Sequence, residues 1–109
     1  NNCIHSIQPE VGRTGITSFR KICQLAQAFN IQVMPHASIG IGIFQAASLH
    51  VSATLENIQY HEYQHSIFDK NLEYIKTTMN CENGFFTLPE GPGIGVEPAL
   101  KVFQYEKKE

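Results

Sequence analysis

Apolar and polar residues along the chain switch between two periods. Residues 3–8 alternate apolar with polar and stop at Pro9, the pattern of a short strand. Residues 12–15 read as a turn, and Thr17 is placed to cap a helix. Phe19, Ile22, Cys23, Ala26 and Phe29 then fall at i, i+3, i+4, i+7 and i+10, an apolar helical stripe. Asn30, which tolerates left-handed backbone angles, is a fitting stop. The switch then recurs. Residues 31–34 read as a buried strand ended by Pro35, and residues 37–42 as a loop of small residues. Phe44, Ala47, Val51 and Leu55 mark a second helix followed by Asn57, and residues 58–61 a third strand. Strands alternating with helices of this length predict βαβ units and a parallel sheet, with right-handed crossovers.

After Glu62 the rhythm breaks. Residues 66–76 show little periodicity. Residues 85–88 read as a short strand entering a turn at 89–93, and Pro98 suits the first turn of a last helix carrying Leu100, Val102 and Phe103. The chain thus divides into a repeating part, 1–65, and a tail, 66–109, expected to pack as an arm against something outside the repeat.

Composition narrows the function classes. With 109 residues and 42% hydrophobic content, the chain has enough apolar side chains for a core. Eight Lys+Arg against ten Asp+Glu leave a net charge of -2, with no basic stripe for nucleic acid or an anionic membrane. Residues 106–109 mix both signs and read as a solvated terminus. Three cysteines, Cys3, Cys23 and Cys81, have no metal-like spacing; Cys23 falls in the helical stripe as a small core residue. A reducing compartment, the absence of an 18-residue apolar run and an N-terminus unlike a signal peptide point to the cytoplasm. The opening Asn1-Asn2-Cys3, directly before a strand, suggests a fragment of a larger protein.

The strand ends carry the chemistry. They read Gln8-Pro9-Glu10, Met34-Pro35-His36 and Tyr60-His61-Glu62, with spacings 36 − 10 = 26 and 62 − 36 = 26. One strand, helix and return loop per period puts an ionisable residue at the same phase three times. In parallel α/β folds the carboxyl ends of the strands form the active-site rim. Any one polar residue at a strand end is readily explained by the chain leaving its core; the argument rests on the shared phase. An imidazole flanked by two carboxylates can be oriented, charged and discharged near neutral pH. Arg13, in the loop after the first strand, and Tyr63 and His65, after the third, are candidates to line the same pocket. His61 should point away from Glu62 towards a helix, and His5 and His50 read as structural. Residues 91–95 are glycine-rich but lack the following Lys-Ser/Thr of a phosphate loop, and read as a rigid turn.

At these residues the sequence resembles the C-terminal part of the enolase superfamily, in its mandelate racemase-like subgroup of acid-sugar dehydratases and racemases. Residues 8–17 (QPEVGRTGIT), 33–36 (VMPH), 46–50 (AASLH) and 88–96 (LPEGPGIGV) carry the likeness, which covers nearly the whole chain. The resemblance implies strands six to eight of a (β/α)7β TIM-type barrel, with the tail returning to a capping domain. It also implies a Mg²⁺-dependent abstraction of the proton next to a carboxylate, with metal ligands upstream of these residues. His36 would then be the general base. Glu10 would orient it, and Glu62 would donate to the substrate carboxylate. A small-molecule sugar acid is the implied substrate, and a homo-oligomer the implied state at full length. One departure stands out: the family has Asp at the sixth-strand position, and Glu10 carries one more methylene, about 1.5 Å of reach. Residues 6–13 contain no lysine, which separates the chain from the muconate-lactonising subgroup.

Three other functions remain. Racemisation or epimerisation uses the same enediolate chemistry with a second base on the opposite face. A hydrolase or oxygenase would use Glu10, His36 and Glu62 as direct metal ligands. A non-catalytic sugar-acid-binding relative is the third, with Glu10 as its only hint.

Overall fold

The computed structural model describes residues 3–37 and 39–104. The mixed-charge run at 106–109 lies outside them. A two-residue strand β1 (Ser6–Ile7) leads into helix α1 (Val11–Ala28), strand β2 (Gln32–Val33) and helix α2 (Ile43–Ser52). The tail holds α3 (His65–Leu72), β3 (Ile75–Thr77), β4 (Asn80–Glu82), β5 (Phe85–Thr87), β6 (Val96–Pro98) and α4 (Leu100–Phe103).

β1 and β2 are parallel, pairing Ser6 with Gln32 and Ile7 with Val33. The third expected strand is reduced to a single parallel bridge between Val33 and Ile58. The reason lies in the prolines. The β1–β2 ladder is carried by N–H groups of Gln32, Met34 and His36 donating to the carbonyls of His5, Ile7 and Pro9. The return rung would need the N–H of residue 9, which proline lacks; Pro35 omits the equivalent rung towards the third strand. Each proline therefore ends a strand while its carbonyl still holds the next chain.

α1 is longer than the apolar stripe predicts. A first helical turn begins at Val11, and the helix then breaks at Gly15 (φ 73°, ψ 162°) before running on to Ala28. Only glycine adopts such angles cheaply. Thr17 lies two residues past this break, within the first turn of the second segment and not at the capping position outside it. Phe19 and Cys23 are fully buried and Ala26 nearly so, facing Val33, Ala47 and Val51 in one core. Burying a phenylalanine of this kind contributes about 1.5–3 kcal/mol. Phe29 leaves the stripe and is 70% exposed. Ten residues advance the helix by about 1000°, some 80° short of three turns, so i+10 is off the face. Asn30 does adopt the left-handed conformation expected of it (φ 55°).

α2 has two buried faces. Ala47 and Val51 join the core with α1, whereas Ala46 and Leu49 meet Phe68, Ile75 and Met79 of the tail in a second core. The tail thus packs on the helix of the repeat itself. The helix ends at Ser52, before Asn57. The Asn57 amide instead donates to the carbonyls of Cys23 and Ile31, tying α1 to β2.

The tail contains more structure than its weak periodicity suggests. β4 and β5 form an antiparallel hairpin across Asn83 and Gly84, both with positive φ (51° and 79°). β3 pairs antiparallel with β6. Pro98 closes β6 and does not open α4, whose flanking cap residue is Ala99. Among the described residues, no helix is long and apolar enough to cross a membrane.

Candidate active site

Backbone bonds at the ends of the parallel strands bring three ionisable side chains together. The His36 N–H donates to the Pro9 carbonyl (3.0 Å), and the Glu62 N–H donates to the Pro35 carbonyl (3.1 Å). Glu10 and His36 therefore follow the prolines whose carbonyls accept the last rungs, and Glu62 itself donates one of them.

The equal sequence spacing conceals two different registers. Between β1 and β2 the offset is 26, as Ser6 pairs with Gln32. At the Val33–Ile58 bridge it is 58 − 33 = 25, which would put His61 opposite His36. One extra residue in the third strand restores Glu62 to the rim. Its side-chain directions agree. Ile58 packs on the core beneath α1 and α2, and His61, three residues later, also faces α2, where strict alternation would put them on opposite faces.

The imidazole of His36 lies between the carboxylates. Nδ1 is 3.4 Å from Glu10 Oε2, and Nε2 is 3.7 Å from Glu62 Oε2. Both separations exceed the usual N–H···O range, so they are close contacts and not hydrogen bonds, and shorter bonds require a small closure. Half of the His36 side chain remains exposed (47%), so the ring is open to a ligand. Glu10 flanks the start of α1 but makes no side-chain capping bond, and its carboxylate also meets Arg13 Nε at 3.4 Å. Arg13 is 83% exposed, so this ion pair adds little stability and chiefly places charge beside the site. Glu62 Oε2 accepts a 2.6 Å bond from the Ala37 N–H, which fixes that oxygen on the side of His36.

The loops bearing Glu10 and His36 converge on one ring. A Cβ added at Gly12 would stand 2.7 Å from Phe44 Cδ2, and one at Gly40 only 2.4 Å from the same atom. Both loops therefore rest their bare backbones on Phe44, which is partly exposed and turned away from the stripe on which its spacing put it.

Arg13 joins the cluster, whereas Tyr63 and His65 are placed differently. Tyr63 donates to Asp69 Oδ1 (3.2 Å) and packs edge-on against Phe68 and Phe86. His65 is the exposed first residue of α3. His61 faces α2 as expected, with Ser48 Oγ 2.8 Å from its Nε2. Burial pushes its imidazole below the ordinary histidine range. His50 Nε2 lies 3.1 Å from the Ile94 carbonyl, a structural contact to the tail. His5 is exposed and just outside β1. The Ala37 amide and the Phe44 ring were not foreseen; a backbone donor leaves no mark in sequence, though Gly12 and Gly40 hinted at a close approach.

Among the described residues, no group of three or more His, Cys, Asp or Glu could hold a metal ion. His36 is engaged with both Glu10 and Glu62.

Residues 1–102 match the sequence-family model of the enolase C-terminal domain-like family. Among solved structures, a protein from Sinorhizobium meliloti assigned as an isomerase is 48% identical (TM-score 0.87), with 92% of this chain and 27% of that one aligned. A protein from Zymomonas mobilis ZM4 assigned as a dehydratase is 32% identical (TM-score 0.78; 93% and 26%). A mandelate racemase/muconate lactonizing enzyme from Jannaschia sp. CCS1 is 28% identical (TM-score 0.80; 96% and 28%). The chain spans about a quarter of the length of the structures it matches. It belongs to the enolase superfamily, as part of the C-terminal domain that forms the TIM-type barrel.

Proposed function

We propose that this chain carries the base-bearing rim of a lyase that abstracts the α-proton of a sugar acid and eliminates its β-hydroxyl. The observation that carries the reading is the imidazole of His36 held between two carboxylates, with Nδ1 towards Glu10. This leaves Nε2 as the nitrogen that takes the proton. The α C–H bond breaks, its electron pair passes into the carboxylate as an enediolate, and Glu62, in its protonated form, donates to a carboxylate oxygen. The enediolate then expels the β-oxygen, which leaves as water with the proton held by His36. The resulting enol becomes a 2-keto acid.

Arg13, Tyr63 and His65 are proposed to line the substrate pocket. Arg13 has the stronger support, because it already pairs with Glu10. Members of the superfamily generally use Mg²⁺. Since the described residues make no metal centre, we place its ligands in the parent protein outside this chain, and no step above runs through it. Residues 1–65 would supply barrel strands six to eight, and 66–109 the tail returning to a capping domain. The exposed apolar residues Leu25 of α1 and Phe29 just after it would be covered by the rest of the barrel. A cytoplasmic homo-oligomer belongs to the same proposal.

A second reading is racemisation or epimerisation through the same enediolate, favoured by the 48% identity to a protein assigned as an isomerase. The test is α-proton exchange in D₂O by the full-length protein with a panel of sugar acids and 2-hydroxy acids. Exchange with release of a 2-keto acid is expected. Exchange with inversion and no elimination selects the second reading, and no exchange with any acid refutes both. His36→Asn should abolish exchange; if exchange persists, His36 is not the base.

A further inference from the structure

Glu62 is held at three points. Its N–H is bonded to Pro35, its carboxylate to the Ala37 N–H, and its carbonyl oxygen lies 3.1 Å from His61 Nδ1. His61 is in turn locked by α2: Ser48 Oγ is 2.8 Å from Nε2, and Gln45 Nε2 is 3.4 Å from Nδ1. Ser48 is fully buried and Gln45 4% exposed, so this network is shielded from water. Phe86 of the tail hairpin closes it, packing edge-on to the imidazole at 5.4 Å.

The contacts to the Glu62 carbonyl and the Ser48 hydroxyl select one tautomer. A neutral imidazole has one donor and one acceptor. The Glu62 carbonyl can only accept, so Nδ1 must carry the proton, and Nε2 then accepts from the Ser48 hydroxyl. The opposite tautomer would set the Nδ1 lone pair against a carbonyl oxygen in a buried site, at the cost of an unmade bond. The amide of Gln45 suits the first arrangement when its oxygen faces Nδ1, a choice its hydrogen bonds leave open. Burial pushes the imidazole below the ordinary histidine range, in the direction of the neutral ring this arrangement requires.

We propose that His61 is a positioning residue. As the Nδ1–H tautomer it pins the extra residue of the third strand to α2, so that the Glu62 carboxylate faces Ala37 and His36. Without that pin, the third strand can relax to the offset of 25, which would put residue 61 and not 62 at the rim. The role assigned to Glu62 in the chemistry rests on the functional reading above; its placement by His61 does not.

The experiment uses the full-length protein with ¹⁵N-labelled histidine. The His61 resonances should report a protonated Nδ1 and an unprotonated Nε2. In His61→Leu the Ala37 amide proton should move upfield as its short bond to Glu62 is lost, whereas His61→Asn, which restores a donor near Nδ1, should return it. α-Proton exchange should fall on the order of 10- to 100-fold in His61→Leu and recover in His61→Asn. Ser48→Ala gives a milder variant should the leucine protein fail to fold, and should shift the Ala37 amide in the same direction. An Nε2–H tautomer, or an Ala37 amide unmoved in both His61→Leu and Ser48→Ala, overturns the proposal. If the wild type exchanges no α-proton, the functional reading fails, and the two spectroscopic results still decide the role of His61.

Discussion

Gly12→Ala probes how the rim is held without replacing an ionisable group. The backbone at Gly12 is outside the left-handed region, so alanine adds a methyl group and no conformational strain. That methyl would stand 2.7 and 2.9 Å from two carbons of Phe44 and 3.4 Å from Glu10 Oε1. Carbon atoms in contact prefer about 3.5–4.0 Å, so the ring must retreat by roughly 1 Å. It cannot retreat towards Gly40, where the backbone is already as close. Overpacking of this kind costs about 1–3 kcal/mol. Phe44→Ala removes a partly buried ring, costing about 1–2 kcal/mol by lost burial. In the double variant the clash has no second partner, so the two costs should fall short of additivity by about 1–3 kcal/mol. Urea unfolding of the full-length wild type, both single variants and the double variant measures the coupling. Additivity within about 0.5 kcal/mol would show that Gly12 does not rest on Phe44 and refute the reasoning.

Other perturbations address different parts of the molecule. Burial pushes the Cys23 thiol up from 9.0 to about 11, so the folded state retains a proton that the unfolded chain releases between those values. Stability from this group should be complete below about pH 9 and decline towards pH 11; denaturant midpoints should fall over that window, and less so in Cys23→Ala. Glu10→Asp shortens the carboxylate by about 1.5 Å and opens the 3.4 Å contact with His36, so exchange should drop about tenfold or more. Undiminished rates in both Glu10→Asp and Glu10→Gln would remove Glu10 from the site. Gly84→Ala meets no atom within 4 Å, so its cost is the positive φ alone, about 1 kcal/mol read as a lower urea midpoint.

The βαβ order and the core face of α1 were legible because burial imposes a period on the sequence: Phe19, Cys23, Ala26 and Val33 are where their spacing put them. α2 was harder, since a helix buried on two sides has no polar face to sharpen its stripe; Phe44 rests on glycines instead of joining the stripe, and Leu55 packs on the same core as Val51 but from beyond the helix end. The tail is less legible. Asn83-Gly84 is a strong two-residue hairpin signal, but the flanking strands are three residues each and carry little alternation. At the rim, residue types and phase identified Glu10, His36 and Glu62, but the phase was only partly what it looked like. Periodicity cannot show that the third strand spends an extra residue, because that depends on pairing between chains.

The extra residue changes what the 26-residue spacing means. His36 and Glu62 are each located by a bond across the sheet, to the proline carbonyl of the preceding strand, and not by the length of chain since the previous rim residue. The helices and loops between rim positions are therefore spacers. They can gain or lose residues while the imidazole and carboxylates keep their separation, provided the rung is kept. A search for this arrangement in divergent sequences should follow proline-marked strand ends, with the count between them free to drift.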